Sequence, residues 1–84
     1  MPRIRLYTTA WCGYCIRAKA LLDARGHAYE ETSLDDDHAF RQRVFDLGRQ
    51  WTVPLVTIDD EPIGGYEELA ALDRSGRLTE CLAA

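Results

Sequence analysis

Two cysteines separated by Gly13-Tyr14 stand directly after a short strand-like run, Arg3-Ile4-Arg5-Leu6-Tyr7-Thr8, followed by Thr9-Ala10-Trp11. The run alternates apolar and polar side chains, the period-2 pattern of a half-buried strand. From Gly13 the spacing changes. Ile16, Ala20 and the pair Leu21-Leu22 recur at helical intervals until Arg25-Gly26, where glycine supplies a stop. The spacing thus places Cys12 and Cys15 in a first helical turn, where residues three apart lie about 5–6 Å from each other. A disulfide needs Cα atoms within about 4.4–6.8 Å, so this pair can close and reopen with little backbone movement. A redox dithiol is the expectation. Two cysteines simply buried at a helix start would have poor core neighbours in glycine and tyrosine, and no second Cys or His pair completes a zinc site.

The chain has 84 residues, enough for one domain spanning 1–84, and its composition is 46% hydrophobic and 29% charged, which is globular. It contains no apolar stretch long enough to span a bilayer and no basic start followed by an apolar segment. A cytoplasmic protein is expected. A net charge of −4 argues against nucleic acid and anionic membranes as partners. The third cysteine, Cys81, leaves an odd count, which suits a reducing compartment better than a disulfide-stapled secreted domain. Cys81 itself is expected to be incidental, a small hydrophobe near the chain end.

Further along, His27 to Leu34 reads as a weak second strand, placed at an edge by its polar content. Asp35-Asp36-Asp37 predicts a helix N-cap with acids favoured by the helix dipole; the further oxygen ligands of a calcium loop are missing. Phe40, Val44 and Leu47 form one stripe of a second helix that stops at Gly48. Val53 to Ile58 is the most strand-like run, Asp59-Asp60-Glu61 turns it back, and Pro62-Ile63 supplies a fourth strand. Gly64-Gly65 then opens a third helix through Tyr66, Leu69, Ala70 and Leu72, with one last turn from Leu78 to Leu82. The order is β-α-β-α-β-β-α. A right-handed parallel βαβ unit followed by an antiparallel pair predicts an α/β, thioredoxin-like fold: a four-stranded mixed sheet flanked by helices.

The dithiol has a chemical reason to be asymmetric. Cys12 would sit at a helix N-terminus, where unpaired N–H groups and the dipole favour an anion. Free thiols titrate near 8.5, and such positions fall to about 3.5–7.5. A drop of about three units needs about 4 kcal/mol. The dipole supplies at most about 2 kcal/mol, so direct hydrogen bonds to sulfur are required, with the N–H groups of Tyr14 and Cys15 as natural donors. Cys12 is expected as the exposed nucleophile and Cys15, one turn deeper, as the resolving thiol.

Four pieces taken in order resemble the glutaredoxin family: Tyr7-Thr8 before the loop, Cys12-Gly13-Tyr14-Cys15 for Cys-Pro-Tyr-Cys, Thr52-Val53-Pro54, and Gly64-Gly65-Tyr66-Glu67-Glu68-Leu69. The resemblance implies a monomeric, glutathione-dependent thiol-disulfide oxidoreductase with no tightly bound cofactor. Glutathione would be its co-substrate, and protein disulfides or glutathionylated proteins its substrates. It also implies a cis peptide before Pro54, beside the thiols, with Val53 offering its backbone to an extended thiol peptide. A strand-opening proline after Val53 fits a cis bond, with an ordinary edge-strand proline as the lesser alternative. Gly65, Tyr66 and Glu67 would hold the γ-glutamyl carboxylate at a helix N-terminus. Tyr14, Thr52, Arg41 and Gln50 complete the implied glutathione site.

Three positions depart from the family pattern. Thr9 stands where many members carry lysine, so the cation for the glycyl carboxylate must come from Arg41 or from the Arg49-Gln50 pair. Gly13 replaces proline, which loosens the turn and adds an N–H donor. Trp11-Cys12-Gly13 also resembles the thioredoxin sequence, and Cys-Gly-Tyr-Cys occurs in mycoredoxins. These departures keep two other readings open: a mycoredoxin-like or thioredoxin-reductase-fed redoxin, and a dimeric [2Fe–2S] carrier ligated through Cys12. Trp51 is expected to pack, and His27 and His38 to lie at the surface.

Overall fold

In the computed structural model, which describes residues 3–83, the chain runs β1 (Ile4–Thr8), α1 (Gly13–Ala24), β2 (Tyr29–Ser33), α2 (Phe40–Gly48), β3 (Leu55–Ile58), β4 (Glu61–Gly64), α3 (Tyr66–Arg74) and α4 (Arg77–Ala83). Met1, Pro2 and Ala84, the ends of the domain expected over 1–84, lie outside the described residues. The sheet order is β2-β1-β3-β4. β1 runs parallel to β2, with Ile4 opposite Tyr29, and antiparallel to β3, with Leu6 opposite Val56. β4 returns antiparallel to β3 after a turn in which Asp59 and Asp60 both take positive φ, 52° and 67°. The polar second strand is at an edge, as its sequence requires.

Strand alternation divides the core between two faces. Ile4 and Leu6 with Val56 and Ile58 meet Ala18 and Leu22 of α1, Leu69 of α3 and Leu78 of α4. On the opposite face Leu55 packs with Val44 of α2 and with Leu34, and Tyr7, Phe40 and Val53 close around them. Helices therefore cover both faces, and β3 is buried along its whole length. Each fully buried leucine or valine contributes about 1.5–3 kcal/mol of transfer free energy, so these two clusters are the main hold on the sheet.

Four local expectations are corrected. The buried stripe of α1 is Cys15, Ala18 and Leu22, whereas Ile16 is 61% exposed. That register turns Cys15 inward, because it shares a helix face with Ala18 and Leu22, which pack against the sheet. α2 begins at Phe40 with Ala39 at its N-cap and no side-chain cap. The aspartates before it are engaged elsewhere: Asp35 accepts from the Ala10 N–H at 2.7 Å, and Asp37 accepts from the Ala39 N–H at 2.9 Å and pairs with Arg43. Leu47, expected on the inner stripe, is exposed. The expected last turn is a helix in its own right, α4, anchored by Leu78.

Candidate active site

Cys12 is the N-cap of α1 and has extended backbone angles, φ −117° and ψ 106°. Its sulfur receives the Cys15 N–H at 3.0 Å, one of the two donors expected from sequence. On its other side the sulfur lies 3.6 Å from the Val53 carbonyl oxygen. Cys12 and Cys15 are joined by a disulfide, with Cα atoms 5.2 Å apart. Cys15 is 2% exposed. Cys12 is half-buried rather than fully exposed, because the Val53 backbone approaches it from across the sheet end.

The peptide between Val53 and Pro54 is cis. Gln50 secures this loop: its Nε2 donates to the Thr52 carbonyl at 2.7 Å and to the Pro54 carbonyl at 3.1 Å. Gln50 was expected to touch glutathione, yet its amide donors are committed to the two carbonyls that bracket Val53. Thr52 and Val53 stand between two clefts. One, of about 220 Å³, is lined by Tyr14, Thr52, Val53, Pro54, Gly65, Tyr66, Glu67 and Glu68. The other, of about 330 Å³, is lined by Thr9, Trp11, Cys12, Gly13, Tyr14, Phe40, Arg41, Thr52 and Val53. Together they are of the size that accommodates a small peptide-like ligand. Every expected site residue except Gln50 borders one of them or, like Cys15, forms the dithiol.

Gly64 and Gly65 turn the chain from β4 into α3. Gly64 has φ +127°, and a Cβ there would lie 2.6 Å from Glu68 Oε1 and 2.8 Å from its Cγ, so only glycine fits. The Gly65 N–H donates to Glu68 Oε1 at 2.8 Å. Thus Glu68, absent from the expected site, occupies one backbone donor of the proposed carboxylate nest. Its position three residues after the N-cap is the sequence signal that identifies such a contact. The following N–H groups at the start of α3 have no acceptor within the helix.

Around the dithiol, Trp11 is 99% exposed at the rim of the second cleft. Arg41 lies over the Phe40 ring at 5.1 Å and donates to the Trp51 carbonyl at 3.2 Å. Arg49, the other candidate cation, sits over Phe45. Trp51 stacks on Phe45 at 4.3 Å, so it packs as expected while half its surface stays open. Tyr14 and Tyr66 approach at 6.1 Å, with the Arg17 guanidinium over Tyr14 at 5.2 Å. Beneath the site the buried Thr8 hydroxyl donates to Glu31 at 2.6 Å, and Lys19 joins it at 3.1 Å. The Thr8 hydroxyl, and after it Lys19, hold the Glu31 carboxyl below the ordinary glutamate range. Asp35 is held low by the Ala10 N–H and then by the Ser33 hydroxyl. Among the described residues no three His, Cys, Asp or Glu side chains are grouped to hold a metal ion. Among them, too, no helix is long and apolar enough to cross a membrane.

A dithiol on a helix N-terminus, opposed by a cis-proline loop on this sheet, places the protein among the thiol-disulfide oxidoreductases of thioredoxin-like fold. The glutaredoxin family model matches residues 4–63, and the chain belongs to the glutaredoxin family. A glutaredoxin of Pseudomonas aeruginosa is 40% identical over 84 residues, covering 100% of both chains. Glutaredoxin 3 of Escherichia coli K12 is 39% identical over 82 residues, covering 98% of this chain and 99% of that one. Among solved structures, a buckwheat glutaredoxin–glutathione complex superposes with a TM-score of 0.87 at 31% identity, over 96% of this chain and 76% of that one. The holo form of glutaredoxin C1 from Populus tremula x tremuloides gives a TM-score of 0.86 at 27% identity, over 98% of this chain and 84% of that one.

Proposed function

We propose that the protein is a dithiol glutaredoxin that uses glutathione to reduce glutathionylated proteins and protein disulfides, acting in the cytoplasm as a single-domain monomer. The observation that carries this reading is the juxtaposition at Cys12: its sulfur lies between a helix N–H donor and the Val53 backbone, with a cleft on each side. An extended thiol peptide pairing with Val53 brings its own sulfur to Cys12. Its two carboxylate ends then point toward the α3 N-terminus at Gly65, Tyr66 and Glu67 and toward Arg41. Tyr14 and Thr52 line the path, and Gln50 acts through the loop it holds. The buckwheat relative solved with glutathione supports the same ligand here.

The chemistry follows from the separate environments of the two sulfurs. With a glutathionylated protein, the Cys12 thiolate attacks the glutathione sulfur and the protein thiolate leaves. A second glutathione thiolate attacks that mixed disulfide, releases oxidised glutathione and restores Cys12. With a protein disulfide, Cys12 forms a mixed disulfide with the protein. Cys15 then attacks the Cys12 sulfur, which expels the protein thiol and closes the 12–15 disulfide; two glutathiones reopen it. Burial keeps Cys15 from meeting substrates first, and its position one turn away keeps it within reach of Cys12.

Turnover of a glutathionylated peptide with glutathione and glutathione reductase tests the proposal. The expected result is activity that disappears in Cys12→Ser. A glutathione-coupled rate far below that with mycothiol or thioredoxin reductase would replace glutathione by one of those reductants. A coloured dimer after anaerobic iron and sulfide reconstitution, together with no turnover, would point instead to a [2Fe–2S] carrier.

A further inference from the structure

β1 ends at Thr8 and α1 begins at Gly13, so residues 9–12, including the reactive cysteine, belong to neither element. Packing gives this stretch little support: Ala10 is exposed and Trp11 is 99% exposed. The one hydrogen bond made to residues 9–11 by a side chain elsewhere among the described residues comes from Asp35, whose Oδ1 accepts the Ala10 N–H at 2.7 Å. The carboxylate is itself aimed. Ser33 Oγ donates to Asp35 Oδ2 at 2.8 Å and accepts the Asp35 N–H at 3.3 Å. Ser33 is the β2 residue opposite Thr8 in the parallel ladder, and the Leu34 N–H donates to the Thr8 carbonyl at 2.8 Å. The loop is therefore pinned to the sheet at Thr8 and again at Ala10, two residues before the sulfur.

We propose that Asp35 is a positioning residue for Cys12, holding the turn between β1 and α1 so that the sulfur stays aligned between the Cys15 N–H and the Val53 carbonyl. This rests on the reading of Cys12 as the attacking thiol. Asp35 lines neither cleft and makes no contact with either sulfur, so it acts through Ala10 alone. An ionised carboxylate accepts with both oxygens, which allows Ser33 to fix one while the other holds Ala10. Asparagine retains one acceptor for Ala10 and can donate to Ser33 Oγ; alanine removes both links.

The test is the rate at which iodoacetamide modifies Cys12 at pH 7 in the reduced full-length Cys81→Ser protein, with the modified residue identified by peptide mass. Iodoacetamide reacts with the thiolate, which the Cys15 N–H stabilises, so a Cys12 that drifts from that donor in Asp35→Ala should react about tenfold more slowly, with Asp35→Asn within about twofold of the parent. Far-UV circular dichroism establishes that each variant is folded. If Asp35→Ala does not fold, Ser33→Ala, which frees the carboxylate, should still slow modification about threefold through the same loss of thiolate. A parental rate in folded Asp35→Ala, or in Ser33→Ala where Asp35→Ala does not fold, overturns the proposal. So does an equal loss in Asp35→Asn and Asp35→Ala, because charge rather than the acceptor would then be responsible. Modification of Cys15 ahead of Cys12 in the parent refutes the assignment of the attacking thiol, a failure distinct from any effect of Asp35.

Discussion

The backbone N–H of Cys15 donates to the sulfur of Cys12 at 3.0 Å, so the buried partner of the pair contributes to the site even before its own thiol reacts. The donor is a main-chain group, and it survives replacement of the Cys15 side chain.

Cys15→Ser should therefore retain activity on glutathione mixed disulfides, within about threefold of the parent, because the donor to Cys12 is kept and only glutathione is needed to finish that cycle. Reduction of a protein disulfide should fall by at least about tenfold, since no internal thiol releases the trapped protein. Paired initial-rate assays on the two substrate types check this; equal losses on both would contradict it.

Gln50 bridges the carbonyls of Thr52 and Pro54 on either side of Val53. Gln50→Ala removes the side-chain donor from the carbonyl of buried Pro54 and frees the loop to which an extended substrate would pair. Binding must then order the freed loop at a cost of about 1 kcal/mol, so KM for a glutathionylated peptide should rise about five- to tenfold with kcat changed less. Steady-state kinetics decide this. An unchanged KM would mean that Val53 is held without Gln50.

Acid should weaken the fold through carboxylates that the native state keeps ionised. Glu31 is held low by the Thr8 hydroxyl first and by Lys19, Asp35 by the Ala10 N–H, Asp37 by Arg43, and Asp59 by Arg3. A depressed native pKa gives stability that is fully present above the ordinary carboxylate range of about 4 and is lost as pH falls through the lower native values. Urea unfolding should thus show a marked loss between pH 5 and pH 2. Thr8→Val removes the largest cause at Glu31, so it should be destabilised at pH 7 and approach the parent near pH 2. A difference independent of pH would contradict the assignment.

Much of the architecture could be read from local pattern because those residues obey one dominant force. The run from Leu55 to Ile58 is apolar throughout and is buried throughout, and the polar Tyr29–Ser33 run lies at the edge where solvent can meet it. The dithiol was legible from spacing alone, and the cis-proline and glycine segments from resemblance. What local pattern missed depended on contacts and packing that only the folded chain defines. Asp35 looks like a helix cap until β2 brings it beside Ala10, 25 residues away, and a stronger contact claims its carboxylate. Gln50, expected to touch glutathione, also bridges two backbone carbonyls, a contact that only the conformation of the loop brings into reach. Ile16 looks like core until Ala18 and Leu22 seat on the sheet; Cys15 lies on their stripe, and Ile16, one residue on, faces away.

In the proposed mechanism Cys12 attacks, and the thiol peptide lies along Val53 between the α3 N-terminus and Arg41. Incubating reduced Cys15→Ser protein with oxidised glutathione, then mapping the adduct by peptide mass and by backbone amide NMR, tests it most directly. The expected product carries one glutathione, on Cys12, with amide shifts concentrated at Val53, Gly65, Tyr66 and Glu67. An adduct confined to Cys81, or a Cys12 adduct that leaves those four amides unmoved, would contradict it.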